Sequence, residues 1–571
     1  MRKHYRLTGL IATGGVMALA LAGCAADGGD GGDDDAPGIG SEATVEADNN
    51  PQPRENLQEG GELVLPIAEI PAQLNAHQTD ASAYSARLWN WYNPQVILMT
   101  PEGEPYANPA YVLEWDHDEV VDGNSVVRFV LNPEAKFNDG TPIDYRAFQA
   151  AWTANRSNEE GYQPNATDGW EQVASVEAGE DDFEVIVTFD GEFAYPEMLF
   201  SNILHPDVDT PEKFNEAYLN EMNPDWGAGP YKVDSFDTKG GTVILTPNEN
   251  WWGDAPLLDK VTFRQLEPVA ALNAFKNGEV DYVETGNADR LAQVEDMEGV
   301  TTYRALQTAN GLLILDAENP LLADLDVRQA IFEAIDREQV KEVVWNGLDY
   351  EEPDAGSFTL FSFQDGYVDA LKNAGYEYNP DNASELLEGA GWELNDEGIR
   401  EKDGETLSIT FPIHGDDPLT EARTKVIQQQ LKAVGVDMEI DVRPLAQFSE
   451  DFNTKNWDIF MLAFTSSDPF GAAWFNQLYA SDSGLNLSST GTPEIDEKIA
   501  DLQTITDGDE LTEAAMELEA EVFSETWGIF PMYNGPFIAT AKDGLANMTP
   551  EEYTGLDLFG RSPVENVGWE K

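Results

Sequence analysis

The chain has 571 residues and a formal net charge of −75 at pH 7, with 107 acidic residues against 32 lysines and arginines. This charge excludes nucleic acids as partners, because binding to phosphates depends on basic residues. The length is enough for two or three domains, and a single cysteine excludes an intrachain disulfide. We interpret the acidic excess as an adaptation to high salt, where screening weakens the self-repulsion of the surface; the alternative is that it attracts cationic ligands.

Residues 1–23 have the pattern of a signal peptide. Three basic residues precede the apolar run 7–22, which is short for a membrane span. The run ends in Leu-Ala-Gly before Cys24, which resembles the lipobox of bacterial lipoproteins, where the cysteine receives a diacylglyceryl group. We therefore predict a lipid anchor at Cys24; the alternative is a secretory signal with an incidental cysteine. Residues 24–60 are rich in Gly and Asp, which predicts a disordered acidic tether.

The chain after the tether combines predicted strands with helix starts. Apolar patterning predicts the strands 61–67, 126–131, 183–189 and 242–245. Thr141 and Pro142 predict a helix from 142 to about 155, with Thr141 as its N-cap. Asp326 is the predicted N-cap of a further helix.

The clearest α/β pattern covers residues 406–464. Predicted strands and helices alternate there as strand 407–411, helix 419–434, strand 436–442, helix 448–454 and strand 457–464. Such alternation predicts a parallel sheet. Because ligands of open α/β sheets bind beyond the carboxyl ends of the strands, the pattern indicates a site at residues 463–466.

The sequence offers little for catalysis. Its five histidines are isolated, and no metalloprotease, serine-hydrolase or phosphate-loop motif is present, so neither a metal nor a cofactor is predicted. A pair of carboxylates would serve a glycoside hydrolase, but among 107 acids such a pair carries no information. We therefore predict that the protein is not an enzyme.

Short segments between residues 131 and 392 combine into one pattern. They are Leu-Asn-Pro-Glu-Ala-Lys-Phe-Asn-Asp-Gly-Thr-Pro at 131–142, Gly-Pro-Tyr-Lys-Val at 229–233, Asn-Trp-Trp-Gly and Leu-Asp-Lys-Val within 250–261, Asn-Gly-Glu-Val-Asp at 277–281, Val-Arg-Gln-Ala and Ala-Ile-Asp-Arg within 327–337, and Leu-Leu before Ala-Gly-Trp within 386–392. In this order they resemble the extracellular solute-binding proteins of peptide/nickel-type ABC importers. They are scaffold motifs, so the resemblance does not name the ligand.

The resemblance implies an α/β, two-lobed periplasmic-binding-protein-like fold of type II with an additional inserted domain. The expected divisions are domain I, or lobe 1, at 61–91, 206–308 and 533–571, domain II as an insertion at 92–205, and domain III, or lobe 2, at 309–532. Chain crossings near Gly311 and Phe530-Pro531 would serve as hinges when the lobes close on a ligand.

The peptide-binding branch of the family implies that the ligand main chain pairs with one extended segment in each lobe. The implied site residues are Glu69, Ile70 and Pro71 in the first lobe and Ala463, Phe464, Thr465, Ser466, Ser467, Asp468 and Phe470 in the second. Pro71 lacks an N–H, so the first segment has one donor fewer.

The branch also places an aspartate after the second segment, where it pairs with the N-terminal amine of a peptide. Ser467 occupies the aligned position here, so either Asp468 takes this role or the amine anchor is absent. Several aromatic residues near both segments either line a side-chain pocket or belong to the core. They are Trp89, Trp91, Phe464, Phe470, Trp474, Phe475 and Tyr479.

The expected function is that of a monomeric, lipid-anchored receptor on the extracellular face of the cytoplasmic membrane. It would bind a small solute, preferably a peptide, and deliver it to the permease subunits of an ABC importer. A carbohydrate is the alternative ligand, and nickel comes third because the sequence has no histidine cluster. A secreted glycoside hydrolase and a structural cell-wall protein are the alternatives from other classes.

Overall fold

The computed structural model of the chain describes residues 50–99, 104–156, 161–348, 350, 352–415, 417–444, 447–466, 469–481, 483, 485–548 and 563–571. The predicted signal peptide, Cys24 and the predicted tether up to residue 49 lie outside the described residues, as do Ser467 and Asp468. No helix in the described part of the chain combines the length and the apolar character that crossing a membrane requires.

The described residues of 50–306 and 536–571 form what we call the first lobe. Its larger sheet has the strand order Glu62–Ile67, Lys260–Gln265, Thr242–Pro247 and Tyr231–Asp237, in which only the first pair is parallel. Its smaller sheet is antiparallel, in the order Tyr282–Glu284, Pro536–Lys542 and Val300–Leu306. The α-helices beside these sheets are Ala83–Tyr92, Pro211–Glu216, Pro268–Lys276 and Ala288–Leu291. Alternate residues of the first strand are buried, as expected for a strand with one face on a core.

A further sheet of the first lobe lies between residues 112 and 189. It is antiparallel, with the strand order Val112–Val121, Asn124–Leu131, Glu184–Phe189 and Val173–Ala178. The helix Tyr145–Asn155 packs on this sheet, where the rings of Phe129 and Phe148 lie 5.0 Å apart. Short strand pairs join Ile97–Met99 to Pro105–Ala107 and Leu545–Ala546 to Gly568–Trp569. The predicted division into domains I, II and III stays a prediction.

The described residues of 309–533 form the second lobe. Its antiparallel sheet has the order Ile459–Thr465, Ala309–Leu315 and Ile529–Tyr533, and Ser408–His414 pairs in parallel with Asp437–Arg443. A small sheet contains Glu393–Leu394, Arg400–Lys402 and Glu405–Thr406. The helices are Leu325–Glu333, Arg337–Val344, Ala370–Asn373, Pro380–Gly389, Pro418–Ala433, Phe448–Thr454, Phe475–Tyr479, Pro493–Leu502 and Gly508–Thr526. Short 3-10 helices in the two lobes are Arg54–Asn56, Pro196–Met198, Pro224–Trp226, Gly471–Trp474 and Val564–Asn566.

The predicted helix starts were wrong by two or three residues. The helix Tyr145–Asn155 begins after Asp144, whose side chain accepts a hydrogen bond from Arg146 N at 3.0 Å. Thr141 is instead held in a turn, because its N–H donates to Asp139 Oδ1 at 2.8 Å. In the second lobe Asp324, and not Asp326, is the N-cap of Leu325–Glu333.

The predicted parallel sheet is correct for one strand pair and wrong for the third strand. Ser408–His414 and Asp437–Arg443 are parallel, but Ile459–Thr465 runs antiparallel to Ala309–Leu315. Every residue of Ala309–Leu315 is buried, so this apolar strand takes the central position. Its partner lies about 150 residues further along the chain, where a local alternation pattern cannot reveal the pairing.

The lobes are joined by two chain crossings, at 307–308 and 534–535. Gly311 and Phe530-Pro531, the predicted hinges, lie inside strands instead. The carboxylate of Glu352 accepts hydrogen bonds from Asn534 N, Gly535 N and Tyr350 Oη, each at 2.7 Å. Burial raises the pKa of Glu352, while these donors act in the opposite direction. One carboxylate therefore fixes the second crossing.

Asn534 connects the second crossing to the strand that begins the second lobe. Its Nδ2 donates to Ala309 O at 2.9 Å and to Asn310 Oδ1 at 2.6 Å. At the same place Gln307 N donates to Gly535 O at 3.2 Å. Gly535 has φ +93°, a backbone conformation that favours glycine. The two crossings thus form one hydrogen-bonded unit.

The first described residues are bound to the last ones. Gln58 N donates to Trp569 O at 2.8 Å, and Lys571 N donates to Asn56 O at 3.1 Å. Asn50 Nδ2 donates to Leu545 O at 3.0 Å. The chain therefore enters the first lobe beside its carboxyl end.

Two large apolar clusters account for most of the buried hydrophobic residues described. One is centred on the second lobe and continues into the first lobe, at the helix Pro268–Lys276 and at Val283, Leu291 and Ile538. The other, which we call the first-lobe cluster, includes Trp89, Tyr92, Phe129 and Phe200, together with two residues of the second lobe, Phe361 and Phe470.

Candidate functional site

The first-lobe segment Glu69-Ile70-Pro71 follows directly on the strand Glu62–Ile67. Ile67 O accepts from Leu266 N at 2.9 Å, and the chain then leaves the sheet. In the described part of the chain, no hydrogen bond involves the main chain of residues 68–71. Glu69 is exposed, Ile70 is partly buried and Pro71 is buried. The main chain of this segment is therefore open to an incoming partner.

The second-lobe segment begins at the end of the strand Ile459–Thr465. This is an outer strand of its three-stranded sheet, with Ala463 opposite Gly311 and Phe464 opposite Asn310. An outer strand directs alternate N–H and C=O groups away from its neighbour. Ser466 N donates to Thr308 O at 2.9 Å, which ties the end of this strand to the first crossing.

Phe464 is supported by a loop that one buried carboxylate organises. Its ring lies 5.3 Å from that of Phe358. Glu519 Oε1 accepts from Phe358 N at 2.9 Å and from Thr359 N at 3.1 Å, and Ser357 Oγ donates to Glu519 Oε2 at 2.5 Å. The Tyr479 hydroxyl also donates to Glu519. Burial raises the pKa of Glu519, and the surrounding donors oppose that rise.

Sequence reasoning missed Glu519, although a weak signal was present. Leu511, Ala515, Glu519 and Val522 recur at helical spacing within Gly508–Thr526, and all four are buried. A carboxylate on the apolar face of a helix needs buried donors, which indicates a structural network.

Phe470 connects the second-lobe segment to the first lobe. It is 7% exposed, belongs to the first-lobe cluster, and its ring lies 5.2 Å from that of Tyr195. Ile70 and Trp474 pack against the same cluster. Both predicted segments therefore border one apolar region. The other predicted aromatic residues are core, with Trp89, Trp91, Phe475 and Tyr479 between 0% and 6% exposed.

Charged side chains extend from Glu69 towards the second lobe. Arg87 Nη1 lies 3.7 Å from Glu284 Oε1. Burial raises the pKa of Tyr84, and the charges of Glu284 and Glu69 add to this rise while that of Arg87 opposes it.

Arg290 continues this array between the lobes. Burial lowers the pKa of Arg290, whereas the charges of Glu284 in the first lobe and Asp417 in the second raise it. Asp417 is the N-cap of the helix Pro418–Ala433. The array thus joins charges of both lobes beside the first segment.

Metal binding and acid-base catalysis find no support in the described residues. No group of three or more His, Cys, Asp and Glu among them could hold a metal ion. His414 Nε2 lies 2.8 Å from Asp451 Oδ2, and Arg443 binds the same carboxylate at 2.9 Å, which is a buried structural network. What the site offers is one main-chain edge in each lobe, residues of both segments packed against the first-lobe cluster, and a charged array beside the first segment.

Comparison with known proteins identifies a family and a similar protein. Residues 107–486, more than half of the chain, match the family described as bacterial extracellular solute-binding proteins, family 5 Middle. The oligopeptide-binding protein OppA of Mycobacterium tuberculosis (strain ATCC 25618 / H37Rv) is 29% identical over 557 residues, which cover 95% of this chain and 91% of OppA.

Solved structures show the same fold. The periplasmic EDTA-binding protein EppA superposes with a TM-score of 0.82 at 23% identity, covering 91% of this chain and 98% of EppA. The oligopeptide-binding protein AppA from Bacillus subtilis in complex with a nonapeptide has a TM-score of 0.71 at 19% identity, covering 90% of this chain and all of AppA. The predicted α/β, two-lobed periplasmic-binding-protein-like fold of type II is confirmed.

Proposed function

The chain belongs to the bacterial extracellular solute-binding proteins of family 5, and on that premise we propose that it captures peptides between its lobes and delivers them to the permease of an ABC importer. As a member of this family it is a substrate-binding protein and not an enzyme. The peptide, the delivery step and the residues of the site are the proposed parts.

The observation that carries the peptide proposal is the pair of open main-chain edges. Residues 68–71 and the carboxyl end of the outer strand Ile459–Thr465 each offer main-chain groups, one edge in each lobe, whereas the beginning of that strand lies against Ser408–His414. An extended peptide satisfies both by strand addition, which reads the ligand main chain and tolerates varied side chains. The oligopeptide-binding OppA and AppA to which the chain is similar agree with this proposal.

The roles of individual residues follow from this mode of binding. We propose that Glu69, Ile70 and Pro71 flank one side of the peptide, while Ala463, Phe464, Thr465 and Ser466 flank the other, with Phe470 at the apolar region beyond. Ser467 or Asp468 would meet the N-terminal amine, because an ammonium buried without a partner is costly.

The proposal is tested by calorimetry with peptides of three to nine residues, each with a free or an acetylated amine. We expect binding of the free form, and Asp468→Asn should weaken the free form alone if Asp468 pairs with the amine. Asp501→Asn, which changes an exposed aspartate of the same lobe, is the matched control. A short glycan series and nickel–EDTA serve as competing ligands. If neither peptide form binds, the peptide proposal fails.

We also propose that Cys24 carries a lipid and that the protein acts as a monomer on the extracellular face of the cytoplasmic membrane. The Leu-Ala-Gly-Cys sequence and the acidic segment that follows it support this placement. Cys24→Ala should release the protein into the medium, which fractionation measures. Unchanged membrane association of that variant would contradict the anchor.

A further inference from the structure

The lobes also touch at a place away from the crossings. We call this set the closing contact: Asp168 and Tyr195 of the first lobe with Phe470, Gln477, Gly508 and Thr512 of the second lobe. None of these residues belongs to the chain segments that connect the lobes. The closing contact is therefore not a consequence of the chain segments that connect the lobes.

Tyr195 is the centre of the closing contact. Its hydroxyl donates to Gly508 O at 2.8 Å and lies 2.6 Å from Thr512 Oγ1, which can donate in return. Gly508 and Thr512 are four residues apart on the helix Gly508–Thr526, so they share one face. The hydroxyl of Tyr195 is thus satisfied entirely by the opposite lobe.

Glycine at position 508 makes this approach possible. A Cβ atom built on Gly508 would lie 2.8 Å from Tyr195 Cε1, closer than real Cβ contacts allow. Gly508 is the first residue of its helix, where an alanine would fit the helix itself well. The absence of a side chain at this position therefore serves the contact with Tyr195 and not the helix.

A polar pair and an aromatic pair complete the closing contact. Gln477 Nε2 donates to Asp168 Oδ2, and the ring of Phe470 lies 5.2 Å from that of Tyr195. Phe470 and Gln477 lie on the stretch that follows the second-lobe edge, 4 and 11 residues after Ser466. The closing contact is therefore continuous in sequence with the proposed peptide edge.

All the hydrogen bonds of the closing contact involve a side chain. They can separate without breaking a strand pair or a helix. A pair of lobes held in this way has two folded states, one with the contact made and one with it broken.

We propose that the closing contact sets the ratio of closed to open lobes in the absence of any ligand, and that Tyr195 and Asp168 thereby determine affinity without touching the ligand. A ligand that binds both edges needs the closed state, so its apparent affinity falls with the closed fraction. The inference on affinity rests on the proposed function, whereas the inference on closure does not.

The test uses three variants and one control. Tyr195→Phe removes the interlobe hydroxyl but keeps the ring. Tyr195→Ala combined with Asp168→Ala removes the contact more fully. Gly508→Ala places a methyl group against Tyr195 while suiting the helix. Tyr378→Phe is the matched control, because Tyr378 is 42% exposed in the second lobe.

Closure is measured as a distance distribution between spin labels in the ligand-free protein. The labels replace Leu113 in the first lobe and Leu394 in the second, which are 58% and 56% exposed, in the mature chain carrying Cys24→Ala. We expect Tyr195→Phe to raise the open-to-closed ratio about fivefold, the effect of one lost hydrogen bond, and the double variant to raise it further. Gly508→Ala should open the lobes without lowering the melting temperature. Tyr378→Phe should change neither the open-to-closed ratio nor the melting temperature.

Two results would overturn the proposal. One is a distance distribution of Tyr195→Phe and of Gly508→Ala that coincides with that of the unchanged protein. The other is opening by Gly508→Ala that persists unchanged in a Tyr195→Ala background, since the methyl group would then act on something other than Tyr195.

The ligand arm is separate from these measurements. With the peptides used above, apparent affinity should fall by up to about fivefold in Tyr195→Phe for short and long peptides alike. If the lobes open as expected but no peptide binds, the proposed function fails while the closing contact stands. If peptides bind but no variant changes closure, the closing contact fails alone.

Discussion

Two of the regions in which the lobes meet, the crossings and the closing contact, are built on different principles. At the crossings, Glu352 accepts from the main-chain N–H groups of Asn534 and Gly535, and both chains continue into paired strands. At the closing contact, Tyr195 and Asp168 reach across with side chains alone. The first region persists in any folded state, whereas the second exists only while the lobes are closed. Because the closing contact can break without unfolding the protein, it affects the ratio of closed to open lobes more than the free energy of unfolding.

The sharpest test of this contrast compares two phenylalanines of the second lobe. Phe475 is fully buried in the second lobe's own cluster, and Phe470 is 7% exposed in the first-lobe cluster. We expect Phe475→Ala to lower the free energy of unfolding by about 3–5 kcal/mol, as for a core phenylalanine. Phe470→Ala should lower it by about 1 kcal/mol or less, because an open state that already exposes Phe470 stays folded.

Urea unfolding of both variants measures these free energies. Equal losses would contradict the distinction, since Phe470 would then belong to a permanent core. If Phe470→Ala opens the lobes in the spin-label experiment and Phe475→Ala does not, the distinction between the two residues is supported further.

The next largest effect is expected at the crossings. Glu352→Ala leaves the N–H groups of Asn534 and Gly535 without their acceptor, which should lower the free energy of unfolding by about 3 kcal/mol. Glu342→Ala, at an exposed position of the helix Arg337–Val344, is the control and should change it little. A loss no larger than that of the control would show that the crossings do not depend on this carboxylate.

The smallest effect is expected at Glu565, which lies in the first lobe outside both regions. Burial raises its pKa from 4.5 to about 6. Because the folded state then holds this proton more tightly than the unfolded chain, raising the pH from about 4.5 to about 6 lowers the free energy of unfolding by up to about 2 kcal/mol. Glu565→Gln should abolish this part of the pH dependence and raise stability at pH 7.

Unfolding in urea at pH 4.5 and pH 7 measures the difference, with Glu570→Gln as the exposed neighbouring control. An identical pH dependence in Glu565→Gln and the unchanged protein would contradict it. Glu565→Gln should not change lobe closure, so it serves as a control for the variants at the crossings and at the closing contact.

The sequence allowed good predictions wherever the signal was local. The helix Phe448–Thr454 was predicted with its observed bounds, and the strand 61–67 differs from Glu62–Ile67 by one residue. The order of six short motifs was enough to predict the family and the fold. Helix starts were less certain because neighbouring residues competed, as Asp139 and Asp144 did around Thr141.

Contacts between distant parts of the chain were beyond such reasoning. Tyr195 is more than 300 residues from Gly508, and Glu352 is more than 180 residues from Asn534. Nothing in the local sequence distinguishes this tyrosine or this glutamate from others of its type. The first edge was predicted only through the family resemblance, whereas the alternation of strands and helices also indicated a site at residues 463–466. The roles of the residues at both edges remain proposals.

The attachment of the first described residues to the carboxyl end has a mechanical consequence. Gln58 and Asn56 are bound to Trp569 and Lys571, so a lipid at Cys24 would hold the first lobe and leave the second lobe as the body that swings. On binding a ligand, the second lobe would then move relative to a first lobe that the lipid keeps near the membrane and its permease.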